Sequence, residues 1–65
     1  MPTVRLTVPQ NDLSKADKEE MVERLTQTVS TFFQERKQED VRNFVMVQIS
    51  ETAESGYALG GEIIG

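Results

Sequence analysis

From Thr3 to Val8 the chain alternates without a break: Val4, Leu6 and Val8 fall on one face and Thr3, Arg5 and Thr7 on the other. Period two with β-branched residues predicts a half-buried strand. Pro9 ends it, because proline cannot donate to a ladder. After the polar connection Gln10–Leu13, Ser14 followed by Asp17 forms a capping-box pattern with Asp in the usual Glu or Gln place. Asp17, Glu19 and Glu20 then suit the start of a helix dipole, and Arg36 and Lys37 suit its end. Between them Met21, Val22, Leu25, Val29, Phe32 and Phe33 recur at helical spacing. This predicts a helix from about Lys15 to about Arg36 whose apolar stripe covers a sheet.

A second β-rich run follows the polar loop Lys37–Asp40. Val45, Val47 and Ile49 share one face, and Phe44, Met46, Gln48 and Ser50 the other. The run is expected to begin at Val41 or at Phe44 and to extend to Ser50. Its aliphatic face should meet the helix, and its mixed face calls for another cover, naturally a second subunit. In the tail, Gly56 and the Gly60-Gly61 pair mark turns between short apolar pieces, as in a small hairpin. These glycines are no phosphate loop, since neither a lysine nor a helix-length segment follows.

Strand, helix and strand in this length make one β-α-β unit with parallel strands and a right-handed crossover. The expected fold is α/β, a single domain over residues 1–65 with a C-terminal short hairpin. Two such units are expected to pair into a four-stranded sheet. Sixty-five residues are few for a dry core, and chains of this size need disulfides, a metal or association. There is no cysteine and no histidine, so disulfides and thiolate or imidazole ligands are excluded and no metal site is expected. Association between copies is the remaining rescue.

The same absences prune the chemistry. Ser-His and Cys-His nucleophile systems cannot be built within this chain. A net charge of −4 disfavours nucleic acid, whose affinity rests on phosphate contacts. No apolar run approaches the roughly 20 residues of a membrane span, and no signal peptide is visible, so a soluble cytoplasmic protein is expected.

Attention therefore turns to Met1-Pro2. Residue 2 is small enough for methionine aminopeptidase to remove Met1, leaving Pro2 with a free secondary amine. An ordinary α-amino group titrates near pH ~8, and an apolar surrounding lowers that value because desolvation disfavours the charged form. A base poised near neutrality is the most useful one. Pro2 has the strand parity of Val4, so its ring begins the apolar face.

Met1-Pro2, a strand, a capped long helix, a second strand, and a tail running Ile49-Ser50-Glu51 to Tyr57-Ala58-Leu59-Gly60-Gly61-Glu62 together resemble the tautomerase superfamily, in particular its small 4-oxalocrotonate tautomerase-like group. The resemblance spans nearly the whole chain. It implies a cofactor-independent isomerase that moves a proton in an enol or dienol keto acid, with Pro2 as general base and Tyr57 shaping the apolar pocket in the family's usual phenylalanine place. It also implies a homo-oligomer, either a dimer or a hexamer built as a trimer of dimers. The family's pre-helix arginine is replaced by Leu13. Its second arginine corresponds to Met46 when counted back from Ser50-Glu51, or to a place near Arg42 when counted forward from Ser14. In an extended strand Arg42 would share the face of Met46. Arg5 is the other candidate anion binder. Two further readings accompany this one: an oligomeric β-α-β binding or assembly module without catalysis, and dehalogenase or hydratase chemistry on the same proline. The last needs a water-activating carboxylate, and Glu51 has the parity of the helix side.

Overall fold

A computed structural model describes residues 1–65. The elements run β1 (Thr3–Val8), α1 (Lys15–Lys37), a 3-10 turn (Arg42–Phe44), β2 (Met46–Glu51), β3 (Ala58–Leu59) and β4 (Glu62–Ile63). β1 and β2 pair in parallel with Thr3 opposite Met46 and Val8 opposite Glu51. β3 and β4 form a separate antiparallel hairpin. The expected β-α-β unit with a C-terminal hairpin is therefore the observed architecture.

The termini of α1 follow from its sequence. Ser14 Oγ accepts from the Asp17 backbone N–H at 3.1 Å, while Asp17 Oδ2 accepts from the Ser14 N–H at 3.2 Å. Both partners of the capping box are thus satisfied. At the other end Gln38 takes the left-handed conformation, φ 53°, and its N–H reaches the Gln34 carbonyl at 3.1 Å. The Glu39 N–H closes back onto the Phe33 carbonyl, which stops the helix.

The sheet has two dissimilar faces. Val4, Leu6, Val8, Val47 and Ile49 are half-buried, as are Met21, Leu25, Val29 and Phe33 on α1. These aliphatic and aromatic side chains are the interior of the unit. The helical stripe is narrower than its sequence pattern suggests: Val22 is at the exposure boundary and Phe32 is turned outward, 54% exposed. Phe32 and its successor Phe33 are set apart around the helix by the angle of 3.6 residues per turn, so only one of the pair faces the sheet. The two rings meet edge to face at 6.3 Å, and the Arg36 guanidinium lies 5.7 Å over the Phe32 ring.

β2 begins later than the pattern predicts. Neither Val41 nor Phe44 opens it, because the Phe44 N–H bonds to the Val41 carbonyl and the Val45 N–H to the Arg42 carbonyl. These short-range bonds close a 3-10 turn, and the ladder starts only at Met46. Its far end gains one residue, Glu51.

No residue of the single chain is fully buried. Its radius of gyration is 14.7 Å, against roughly 11 Å for a compact chain of this length. The excess reflects a thin body, 15 Å across its shortest dimension, from which the hairpin extends. Gly60 and Gly61 both have positive φ, 59° and 88°, the backbone that a two-residue hairpin turn requires. Leu59, Ile63 and Ile64 on this hairpin are all more than half exposed.

Candidate functional site

Pro2 sits at the head of β1. It is half-buried, and its carbonyl accepts from the Met46 N–H at 2.9 Å, so the start of the parallel ladder holds it in place. Met46, opposite Thr3 in the ladder, has an exposed side chain, at 51%, as does Phe44 in the preceding 3-10 turn, at 59%. Met46 shares with Thr3, Arg5, Thr7, Gln48 and Ser50 the face that α1 does not cover, and every one of these residues is exposed. Arg5 stands opposite Gln48 on that face.

Tyr57 lies at the other end of the strand. Its N–H bonds to the Gly65 carbonyl, and its own carbonyl accepts from the N–H groups of Ile64 and Gly65. This closes the tail into a loop against Pro9: a Cβ built on Gly65 would come within 2.8 Å of the Pro9 Cβ and 3.6 Å of the Tyr57 Cβ. From Pro2 to Pro9 an extended chain covers roughly 23 Å. Within one chain, Pro2 and Tyr57 are therefore not brought together.

Arg42 lies away from the open sheet face. In the 3-10 turn it loses the strand parity that would align it with Met46. Its guanidinium donates to Glu23 Oε1 at 2.8 Å and to Gln27 Oε1 at 3.0 Å, both on α1. Glu51 is on the helix side, as its parity indicates. Its Oε1 accepts from Lys18 Nζ at 2.6 Å and its Oε2 from the Asn11 N–H at 3.3 Å. The Lys18 hydrogen bond, then the Asn11 backbone donor, hold this carboxyl below its usual 4.5.

The two hollows of the single chain lie on the helix. One is lined by Glu23, Arg24, Gln27, Thr28, Thr31, Phe32 and Glu35, the other by Gln27, Ser30, Thr31, Gln34, Glu35, Asp40 and Arg42. Neither includes Pro2, Arg5, Met46 or Tyr57. No group of His, Cys, Asp or Glu side chains is arranged to hold a metal ion, and no helix is long and apolar enough to cross a membrane. Sequence reasoning did not anticipate the role of Lys18 and Asn11 in tying down Glu51; both contacts span more than 30 positions, beyond the reach of a local pattern.

No protein-family model matches this chain, and no curated protein does. Among solved structures it is similar to the crystal structure of DmpI from Helicobacter pylori, at TM-score 0.57 and 24% sequence identity, over 95% of this chain and 88% of that one. The chain thus shares the DmpI fold.

Proposed function

We propose that this protein is a cofactor-independent tautomerase whose mature form uses the Pro2 amine as general base. The observation that carries this reading is the placement of Pro2: half-buried at the strand head and fixed there by its backbone bond to Met46. The shared fold with DmpI and the tautomerase-like sequence features support it. With Met1 removed, the neutral amine takes the proton of an enol hydroxyl. The carbonyl forms as the C=C electrons move to the adjacent or conjugated carbon, and the ammonium then gives its proton to that carbon. No cofactor enters this exchange.

The distance between Pro2 and Tyr57 gives the site its form. If Tyr57 walls the pocket, it comes from another copy of the chain. The absence of buried residues in a lone chain and the exposed Leu59, Ile63 and Ile64 support such an assembly, as a dimer or a trimer of dimers. The open sheet face and the hairpins of neighbouring chains would then enclose Pro2. Water-adding chemistry on Glu51 is disfavoured, since both its oxygens are engaged on the helix side. A non-catalytic assembly module is the second reading, favoured by the engagement of Arg42 with Glu23 and Gln27.

The test couples intact mass with turnover of phenylenolpyruvate or a hydroxydienoate. Protein lacking Met1 is expected to turn over, with a pH–rate profile rising through a group below the ordinary amine value. Pro2→Ala replaces the secondary amine with a primary one of different basicity and shape, and is expected to lose most of the rate. Equal rates for the two proteins would remove Pro2 from the mechanism.

A further inference from the structure

Two charged side chains stand alone on the two surfaces that a single chain leaves uncovered. Of the seven cationic side chains, Lys15, Lys18, Arg24, Arg36 and Lys37 stand on α1 and Arg42 in the 3-10 turn, so only Arg5 lies on the sheet. It shares the face that α1 does not cover with Thr3, Thr7, Met46, Gln48 and Ser50, and no carboxylate is among them. The hairpin is the converse. It runs Ala58-Leu59-Gly60-Gly61-Glu62-Ile63, and Glu62 is the one charge in that run. Neither Arg5 nor Glu62 takes part in the ion pairs within the chain, which join Lys18 to Glu51, Arg24 to Glu20 and Arg42 to Glu23.

Each lone charge has one exposed apolar neighbour. Thr3 is opposite Met46 and Arg5 opposite Gln48, so Met46 and Arg5 are diagonal neighbours on the open face, roughly 8 Å apart. On the hairpin Glu62 is directly opposite Leu59, which places both on one side of it at roughly 5 Å. Met46 and Leu59 are both more than half exposed. We infer that the hairpin of one copy seats on the open sheet face of a second copy, with Leu59 against Met46 and Glu62 paired to Arg5. The long Arg and Glu side chains absorb the difference in spacing. The occupant is a second copy because this chain carries both halves of the match. It also has no fully buried residue, and no cysteine or histidine to hold it together alone. Apolar contact supplies the attraction, while the charge pair fixes register and rejects like-charged approach. This rests on the assembly invoked for Tyr57, two residues before Leu59, and not on the role of Pro2.

The experiment is sedimentation velocity over a concentration series of the Met1-free full chain. Arg5→Glu and Glu62→Arg each set like charges against one another, and each is expected to raise the apparent dissociation constant at least about tenfold. The double variant is expected to return to within about threefold of wild type. An equimolar blend of the two single variants is expected to do the same, since each then meets the opposite charge on the other. Glu54→Arg, which alters the other carboxylate of the tail, is expected to stay within about threefold of wild type. The inference is overturned if the wild type sediments as a monomer, if either single variant associates like wild type, or if Glu54→Arg loses as much as they do. Recovery in the double variant without recovery in the blend would put the pair inside one chain, and recovery in neither would mean that something else covers the hairpin; both overturn it. The full pattern in a protein that turns over no phenylenolpyruvate would sink the tautomerase reading and leave this contact standing.

Discussion

The Lys18 ammonium donates to Glu51 Oε1 at 2.6 Å, so an early turn of α1 is tied to the last residue of β2. The other oxygen of Glu51 accepts from the Asn11 N–H, and Asn11 has a positive φ of 65°. One carboxylate thus joins helix, sheet and the β1–α1 connection. Because its folded pKa is depressed, its contribution is present above the unfolded value and fades as pH falls through the folded one. Glu51→Gln is expected to lower the melting temperature at pH 7, with the gap to wild type closing as the pH drops well below 4.5. Thermal melts over a pH series at fixed protein concentration check this. A gap of constant size down to the acid limit would mean that the charge of Glu51 does not matter.

Gln38 ends α1 in the left-handed region, where a Cβ is crowded by the neighbouring carbonyl. The conformation costs an ordinary L-residue roughly 1–2 kcal/mol, and glycine escapes most of that. Gln38→Gly is expected to raise stability by up to about 1 kcal/mol. Ser14→Ala at the opposite end, which removes the Oγ acceptor, is expected to cost about 1 kcal/mol. Urea titrations of the two variants should move in opposite directions from wild type.

The hairpin displays Leu59 and Ile63 with 73% and 64% of their surface exposed. Covering a side chain of this kind is worth about 1.5–3 kcal/mol, and the single chain gives them no cover. Leu59→Asp is therefore expected to shift the protein toward smaller species in sedimentation velocity. Wild-type melting temperature should rise with protein concentration, as linkage to assembly requires. A melting temperature independent of concentration, in a protein that sediments as a monomer, would contradict both expectations.

Arg42 joins the 3-10 turn to α1 through Glu23 and Gln27, with its side chain 42% exposed. Exposed pairs of this kind contribute up to about 1 kcal/mol. Arg42→Ala is expected to lower stability by no more than that, and more at low salt than at high salt. A loss several times larger would assign the turn a greater part in holding β2 than its contacts imply.

β1 was legible to the residue, because period-two alternation and Pro9 are both local signals. α1 was legible to within a residue at its end, through the capping box and the apolar stripe. The hairpin was legible through its Gly-Gly turn. The start of β2 was not. Alternation at Phe44 and Met46 has the same appearance whether the backbone is extended or coiled one turn earlier, and the turn is closed by hydrogen bonds from Phe44 and Val45. The arrangement of the candidate site residues was not legible. Nothing periodic in the tail says that Tyr57 closes onto Gly65 beside Pro9, at the far end of the strand from Pro2.

That separation has a consequence for mixtures. If one molecule lends its amine and a different molecule its aromatic ring, Pro2→Ala and Tyr57→Ala each disable every centre in a pure preparation. Unfolded together and allowed to reassemble, the two variants would produce hybrid particles in which some centres draw both intact groups, and rate would return from two inactive parents.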